Sequence, residues 1–283
     1  MQKILLFTIL IVFIYAFSIP EKKKENPSLS IPNDTIKKIE NPVLKSFMLS
    51  GERIRFLIRN PEDKHGIVYF NLHDNENTAV AATDSIIAAH SGQFIELQFK
   101  GKRWIGGWHT PEKHFWFDPN RIFSDLGIAK TLRAYRSYSA YSKQEVKKLA
   151  DFITDSLLKD AKMIIAVHNN VKGYSIEKYM PDSTFADDAD TFYINPEQSP
   201  HDFFYVLDSN FYEFFKARNY NVVLQSDSTY EDDGSLSIYC AQKKIPYINV
   251  EAMEGHLVEQ MKMLEVLQAL IWCDTLCTWH LKE

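Results

Sequence analysis

The sequence predicts an α/β protein with a mixed, mostly parallel central sheet and helices on both faces. Two observations carry this reading. Residues 66–72 (GIVYFNL) and 162–167 (KMIIAV) are continuous apolar runs, as expected of strands covered on both sides. Helix-period segments fall between such runs, and that alternation favours a sheet clad by helices.

The elements follow in order. Residues 52–60 (ERIRFLIRN) alternate apolar and charged side chains, the pattern of a half-buried strand. After the strand at 66–72, residues 77–90 read as a helix with Asn77 or Thr78 as its cap. Residues 94–99 form a strand, and Gly106-Gly107 reads as a break before a short strand at 114–117. Ser142 and Glu145 have capping-box spacing at the start of the helical stretch 143–159. The run at 162–167 delivers His168. Residues 169–201 are polar and form a long excursion of the kind that often carries function. A helix at 211–219, a strand at 221–225, a helix at 235–243 and a strand at 245–250 ending at Glu251 come next. A last helix runs from about Gly255 to Asp274.

The N-terminus is of another kind. Met1-Gln2-Lys3 is a short basic start, residues 4–17 are apolar, and Ala16-Phe17-Ser18 offers small residues at signal-peptidase spacing. Residues 1–18 are therefore expected to be a signal peptide, cut after Ser18. The apolar run is shorter than the ~20 residues of a spanning helix. Lys22-Lys23-Lys24 follows directly, and an uncleaved membrane tether is the alternative. Either way the chain is expected to be exported, to a periplasmic or extracellular space. Residues 19–45, rich in Lys, Glu, Pro, Asn and Ser, read as a flexible tether, and residues 46–283 as one domain.

The 283 residues carry a net charge of −5 without a basic block in the body, so nucleic acid is not an expected partner. Of the three cysteines, Cys273 and Cys277 lie one helical turn apart and Cys240 stands alone. That spacing suits buried thiols better than a zinc site. A disulfide from Cys240 to either of the others stays open in an oxidising compartment.

The pattern H-x-x-E occurs three times, at His73/Glu76, His109/Glu112 and His256/Glu259. Context separates them. His73 follows an apolar strand directly, so it and Glu76 sit in a turn at the strand's carboxyl end, where α/β sheets gather ligands. His109 lies in a loop beside Pro111, and His256/Glu259 on a helix has the spacing of a solvated pair. His168 arrives from a second strand end. Histidine, carboxylate and histidine with an open position form a catalytic zinc set, and such an ion lowers the pKa of water and polarises a carbonyl. Glu251, at a third strand end, is the candidate base, with Glu254 as competitor. Asn120 and Arg121 follow the strand at 114–117, and an Arg fork beside an amide suits a carboxylate.

These segments, NLHDNENTA, FDPNRIFS, AVHNN and INVEAMEGH, together resemble the zinc carboxypeptidase superfamily. The short interval from Glu76 to Asn120-Arg121 is similar to its compact aspartoacylase and succinylglutamate desuccinylase branch. The resemblance covers residues 65 to 260. It implies a carboxypeptidase-like fold, one Zn2+ per chain on His73, Glu76 and His168, Glu251 as general base and acid, and Asn120 and Arg121 on a substrate carboxylate. The branch usually has Asp two places before the second histidine, where this chain has Ala166. It often adds an Arg shortly before Asn-Arg to polarise the scissile carbonyl. Lys113 or His114 stands there, with Arg103 and Arg133 as alternatives. Tyr230 occupies the loop of a mobile phenol, with Tyr239 and Tyr247 competing. The expected substrate is a small peptide, such as a cell-wall peptide, or an N-acyl amino acid. A relative that binds without turnover is the other class.

Overall fold

The computed structural model describes residues 42–226 and 228–276, with side chains in the last helix up to Ile271. The signal-peptide expectation, nearly all of the tether, Cys273 and Cys277 lie outside these described residues or side chains. Among the described residues no helix is long and apolar enough to cross a membrane.

The core is a nine-stranded mixed sheet. Its strands are β1 (Val43–Leu49), β2 (Glu52–Arg59), β3 (Ile67–Asn71), β4 (Gln93–Gln98), β7 (Met163–Asn170), β8 (Ala189–Tyr193), β9 (Phe203–Val206), β10 (Val222–Gln225) and β11 (Tyr247–Met253). Their order is β1-β2-β4-β3-β7-β11-β9-β10-β8. The four central strands β4, β3, β7 and β11 run parallel, as does the outlying pair β9–β10. The remaining pairings are antiparallel. A separate hairpin, β5 (Ile105–Thr110) with β6 (Lys113–Phe117), lies beside the sheet.

Alternation along the strands sorts side chains to two apolar layers. On β7, Ile164 and Ala166 join one layer while Met163, Ile165 and Val167 join the other. The first layer is covered by α2 (Asp125–Ala134), α3 (Ala140–Phe152) and α5 (Leu236–Lys243). The second is covered by α1 (Asn77–Ala89), α4 (Ser209–Lys216) and α6 (Leu257–Leu276). Helices therefore lie on both faces, as the sequence predicts. The same alternation puts His168 and Asn170 of β7, with Asn249 and Glu251 of β11, on the α2/α3/α5 face.

Several local expectations are corrected. The Gly106-Gly107 break is the middle of β5. A Cβ on Gly106 would lie 2.1 Å from the Phe115 carbonyl oxygen, and one on Gly107 would lie 2.8 Å from that of Leu49. These glycines permit close packing of main chain rather than ending a strand. The sheet begins at Val43, so residues 43–45, read as tether, belong to β1. The helix at 140–152 is capped by Ser139, which accepts from the Ser142 N–H, while Ser142 Oγ accepts from the Ser139 N–H. A cap of this kind contributes about 1 kcal/mol. Glu145, expected to close the box, instead accepts from Ser50 Oγ and Lys148. The excursion at 169–201 carries the edge strand β8, and α2 and β9 are elements the sequence reading lacks. Cys240 is buried and has no disulfide partner among the described residues, and burial pushes its thiol pKa up.

Candidate metal centre and substrate cavity

His73 and Glu76 stand in the turn between β3 and α1. Glu76 occupies the N-cap position of α1 yet makes no side-chain cap bond, and Asn77 and Thr78, the expected caps, lie inside the helix turn. Its carboxylate is committed elsewhere. Oε1 lies 2.8 Å from His73 Nδ1, and Oε2 lies 2.8 Å from His168 Nδ1. The two Nδ1 atoms are 3.3 Å apart. All three residues are buried. No other group of three donors of this kind occurs among the described residues.

This arrangement fits a cation. His73 Nε2 lies 2.9 Å from Asp118 Oδ1, which fixes the proton there and leaves the Nδ1 lone pair facing the Glu76 carboxylate. Two acceptors at 2.8 Å require a positive species between them. In a metal-free protein a proton fills that role: burial alone would lower the His73 pKa, but the Glu76 and Asp118 carboxylates outweigh it and push it up to about 9. The same balance, with burial opposing and the histidines prevailing, holds the Glu76 carboxyl well below the usual range. Two histidine nitrogens and a carboxylate, buried and converging, are a donor set that can hold a metal ion.

Glu251 is buried one strand away. His168 and Glu251 are register partners across the parallel pair β7–β11, so the two side chains rise side by side from one face. Asn170 Nδ2 donates to Glu251 Oε2 at 3.1 Å, and Asn249 Nδ2 donates to Oε1 at 3.2 Å. Two neutral donors, one per oxygen, fix the carboxylate's direction. Glu254, the competitor, sits at the rim of the same cavity.

Asn120 and Arg121 lie in a short 3-10 turn, Pro119–Arg121, capped by Asp118, whose Oδ1 accepts from the Asn120 N–H. Asn120 Oδ1 accepts from the Leu236 N–H, tying the turn to α5. Arg121 Nε lies 3.2 Å from Asp233 Oδ2, so an acid of the protein already holds part of its fork. Phe123 donates its N–H to the Gly234 carbonyl, and a Cβ on Gly127 would lie 2.2 Å from Gly234 Cα. The segment carrying Tyr230 and Asp233 is thereby docked, main chain to main chain, against the start of α2.

His73, Glu76, His168, Asn120, Arg121, Tyr230 and Glu251 all line one cavity of about 390 Å3. Tyr247 also reaches it, whereas Tyr239 packs against Phe123 outside it. Lys113 is a correction: it is exposed at the tip of the β5–β6 hairpin and does not line the cavity. Arg103 does, with Nη1 2.7 Å from Glu76 Oε1 and Nη2 3.9 Å from Asp118 Oδ2. The rival pairs dissolve, since His109 packs on Tyr141 and His256 pairs with Asp202 rather than Glu259. Asp118, which the sequence reading does not single out, is the residue that orients His73. Its place directly after a strand end was the available signal. His168 Nε2 is buried with no partner, and Ala166, on the same strand face, offers no acceptor.

No family model matches the chain, and no curated relative is found by sequence. Among solved structures it is similar to the succinylglutamate desuccinylase of Chromobacterium violaceum, with 11% identity, 82% of this chain and 70% of that chain covered, and a TM-score of 0.43. It is similar to a succinylglutamate desuccinylase/aspartoacylase of Rhodobacter sphaeroides, with 11% identity, 81% and 64% covered, and a TM-score of 0.41. It is also similar to the murein-tripeptide amidase MpaA of Escherichia coli O157, with 13% identity, 89% and 98% covered, and a TM-score of 0.40. These include the group that the sequence motifs resemble. At such identities and TM-scores nothing is carried over from these proteins, and the chemistry rests on the side chains described above.

Proposed function

We propose that this chain is a zinc-dependent hydrolase of the carboxypeptidase-like class, cleaving an amide or peptide bond next to a free carboxylate. The observation that carries the reading is the meeting of His73, Glu76 and His168 with Glu251 and Arg121 around one cavity of about 390 Å3. Two histidines and a carboxylate, all buried, would hold the zinc ion, which when bound polarises a carbonyl and acidifies water. Glu251, aimed by Asn170 and Asn249, takes a proton from the attacking water and returns it to the leaving amine. Arg103 supplies positive charge beside the triad, where charge develops on the carbonyl oxygen. Hydrolysis of C-terminal peptides and N-acyl amino acids by purified protein, abolished by a chelator and restored by zinc, tests the reading. Absence of turnover across both sets would leave a binding protein.

Carboxypeptidase action, on cell-wall peptides among others, is the first choice. Deacylation of N-acyl amino acids is the second, favoured by a cavity near the lower end of the ~300–1,000 Å3 of ligand pockets. Arg121 recognises the carboxylate in either case, which must take over the place of Asp233. Arg121→Lys is expected not to restore function, because an ammonium lacks the planar paired donors. Amidating the substrate's carboxylate should cost wild type on the order of 10–100-fold in kcat/KM, from ~1.5–3 kcal/mol for a charge-assisted bond. It should cost Arg121→Ala much less, and equal penalties would move the carboxylate to another residue.

We further propose export, from the N-terminal reading alone. N-terminal sequencing of secreted material should begin near Ile19. An intact Met1 on protein from the membrane fraction would replace cleavage with anchoring.

A further inference from the structure

The cavity does not end at the triad. Asn75 and Arg103, which line it, also line a second, open hollow of about 640 Å3 walled by Lys102, Trp104, Trp116 and Tyr135. Trp104 is 46% exposed, although large aromatic rings are highly buried on average. Its ring and that of Tyr135 stand with centroids 5.6 Å apart at 55°. The loop before Trp104 is fixed to the ligand turn, since Asp74 accepts the N–H groups of Phe99 and Gly101 at 2.5 and 2.6 Å. An exposed tryptophan is thus held on a firm support, one residue from the arginine that touches Glu76.

We propose that this hollow binds an aromatic side chain on the acyl side of the scissile amide. The inference rests on the function proposed above. The hollow shares Arg103 with the triad but does not include Arg121. A substrate with its carboxylate on Arg121 and its amide at the triad therefore reaches the hollow only with its acyl end. Tilted rings present a face and an edge together, and a further aromatic ring can pair with either in an edge-to-face or offset-stacked arrangement. Three of the lining side chains, Trp104, Trp116 and Tyr135, are aromatic rings, and Lys102 Nζ lies over the Trp116 ring at 5.2 Å. A glycan is the competing occupant, and the test below separates the two.

The test is calorimetric titration of the full chain, zinc-loaded and carrying Glu251→Gln so that ligands persist, with N-phenylacetylglycine and N-acetylglycine. The phenylacetyl ligand is expected to bind about tenfold tighter, from the worth of an aromatic packing contact plus its buried area. Adding Trp104→Ala, a change at an exposed position, should bring the ratio to within about twofold. Adding Arg121→Ala should weaken both ligands and keep the ratio. An unchanged ratio in Trp104→Ala, or no preference in the parent, overturns the proposal. So does an N-acetylmuramoyl amino acid that gains more from Trp104 than the phenylacetyl ligand, since the hollow then reads glycan. Failure of wild type to hydrolyse either ligand counts against the proposed function, while the affinity ratio still decides separately whether the hollow takes an aromatic ring.

Discussion

Glu251→Gln is expected to retain zinc and substrate binding while losing about 10²–10⁴-fold in kcat, the usual worth of a positioned acid–base group. The substitution is nearly isosteric and keeps an acceptor oxygen for one of the two asparagine donors that aim the side chain. Only the capacity to take and return a proton is removed, so KM should change little. Metal content should not change, because Glu251 supplies no atom to the His73–Glu76–His168 group. Steady-state kinetics with a metal assay on the same preparation reads all three quantities. Turnover surviving in the Gln variant would transfer the role to Glu254 or remove the mechanism.

The second large effect concerns the ion itself. Purified protein should carry close to one zinc per chain, and His73→Ala or His168→Ala should empty the site. His109→Ala and His256→Ala should leave it full, as those rings are engaged by Tyr141 and Asp202. Asp118→Asn should weaken zinc binding by roughly 10–100-fold, the usual cost of losing a carboxylate that orients a ligating histidine. Competitive chelator titration followed by metal analysis measures each. If His109→Ala empties the site while His73→Ala does not, the choice among the three H-x-x-E pairs is wrong.

That choice was legible because each candidate residue sits on or just beyond an apolar run. A parallel strand buried on both faces shows in sequence as continuous hydrophobicity, and the residue at its end shows where a ligand would lie. His73, His168 and Glu251 were all found in this way. What stayed hidden depends on tertiary neighbours. Gly106 and Gly107 look like a break because sequence does not reveal the carbonyls of Phe115 and Leu49 that exclude a Cβ. β9 is four residues long and follows directly on the polar excursion, too short for periodicity to register. Arg103 reaches Glu76 across 27 positions of intervening chain, and no local pattern distinguishes it from Lys113 or Arg133. The sequence points to a cap three residues late, at Ser142, because Ser142 and Glu145 have capping-box spacing, and only the fold shows Ser139 as the cap and Glu145 drawn away to Ser50.

The contact between Gly127 and Gly234 bears on how this protein can diverge. Two main chains meet there with no room for a side chain on either, so neither position can change without parting Arg121 from the segment that carries Asp233 and Tyr230. The Arg121–Asp233 corner is closed to gradual variation. Another part of the cavity lining is built differently: Tyr174, Tyr179, Phe185 and Tyr205 meet through rings, which tolerate exchange of one aromatic or aliphatic group for another far better than backbone contact does. Changes in the cavity lining among descendants of this sequence would therefore arise at these rings, while the Gly127–Gly234 contact is inherited unchanged.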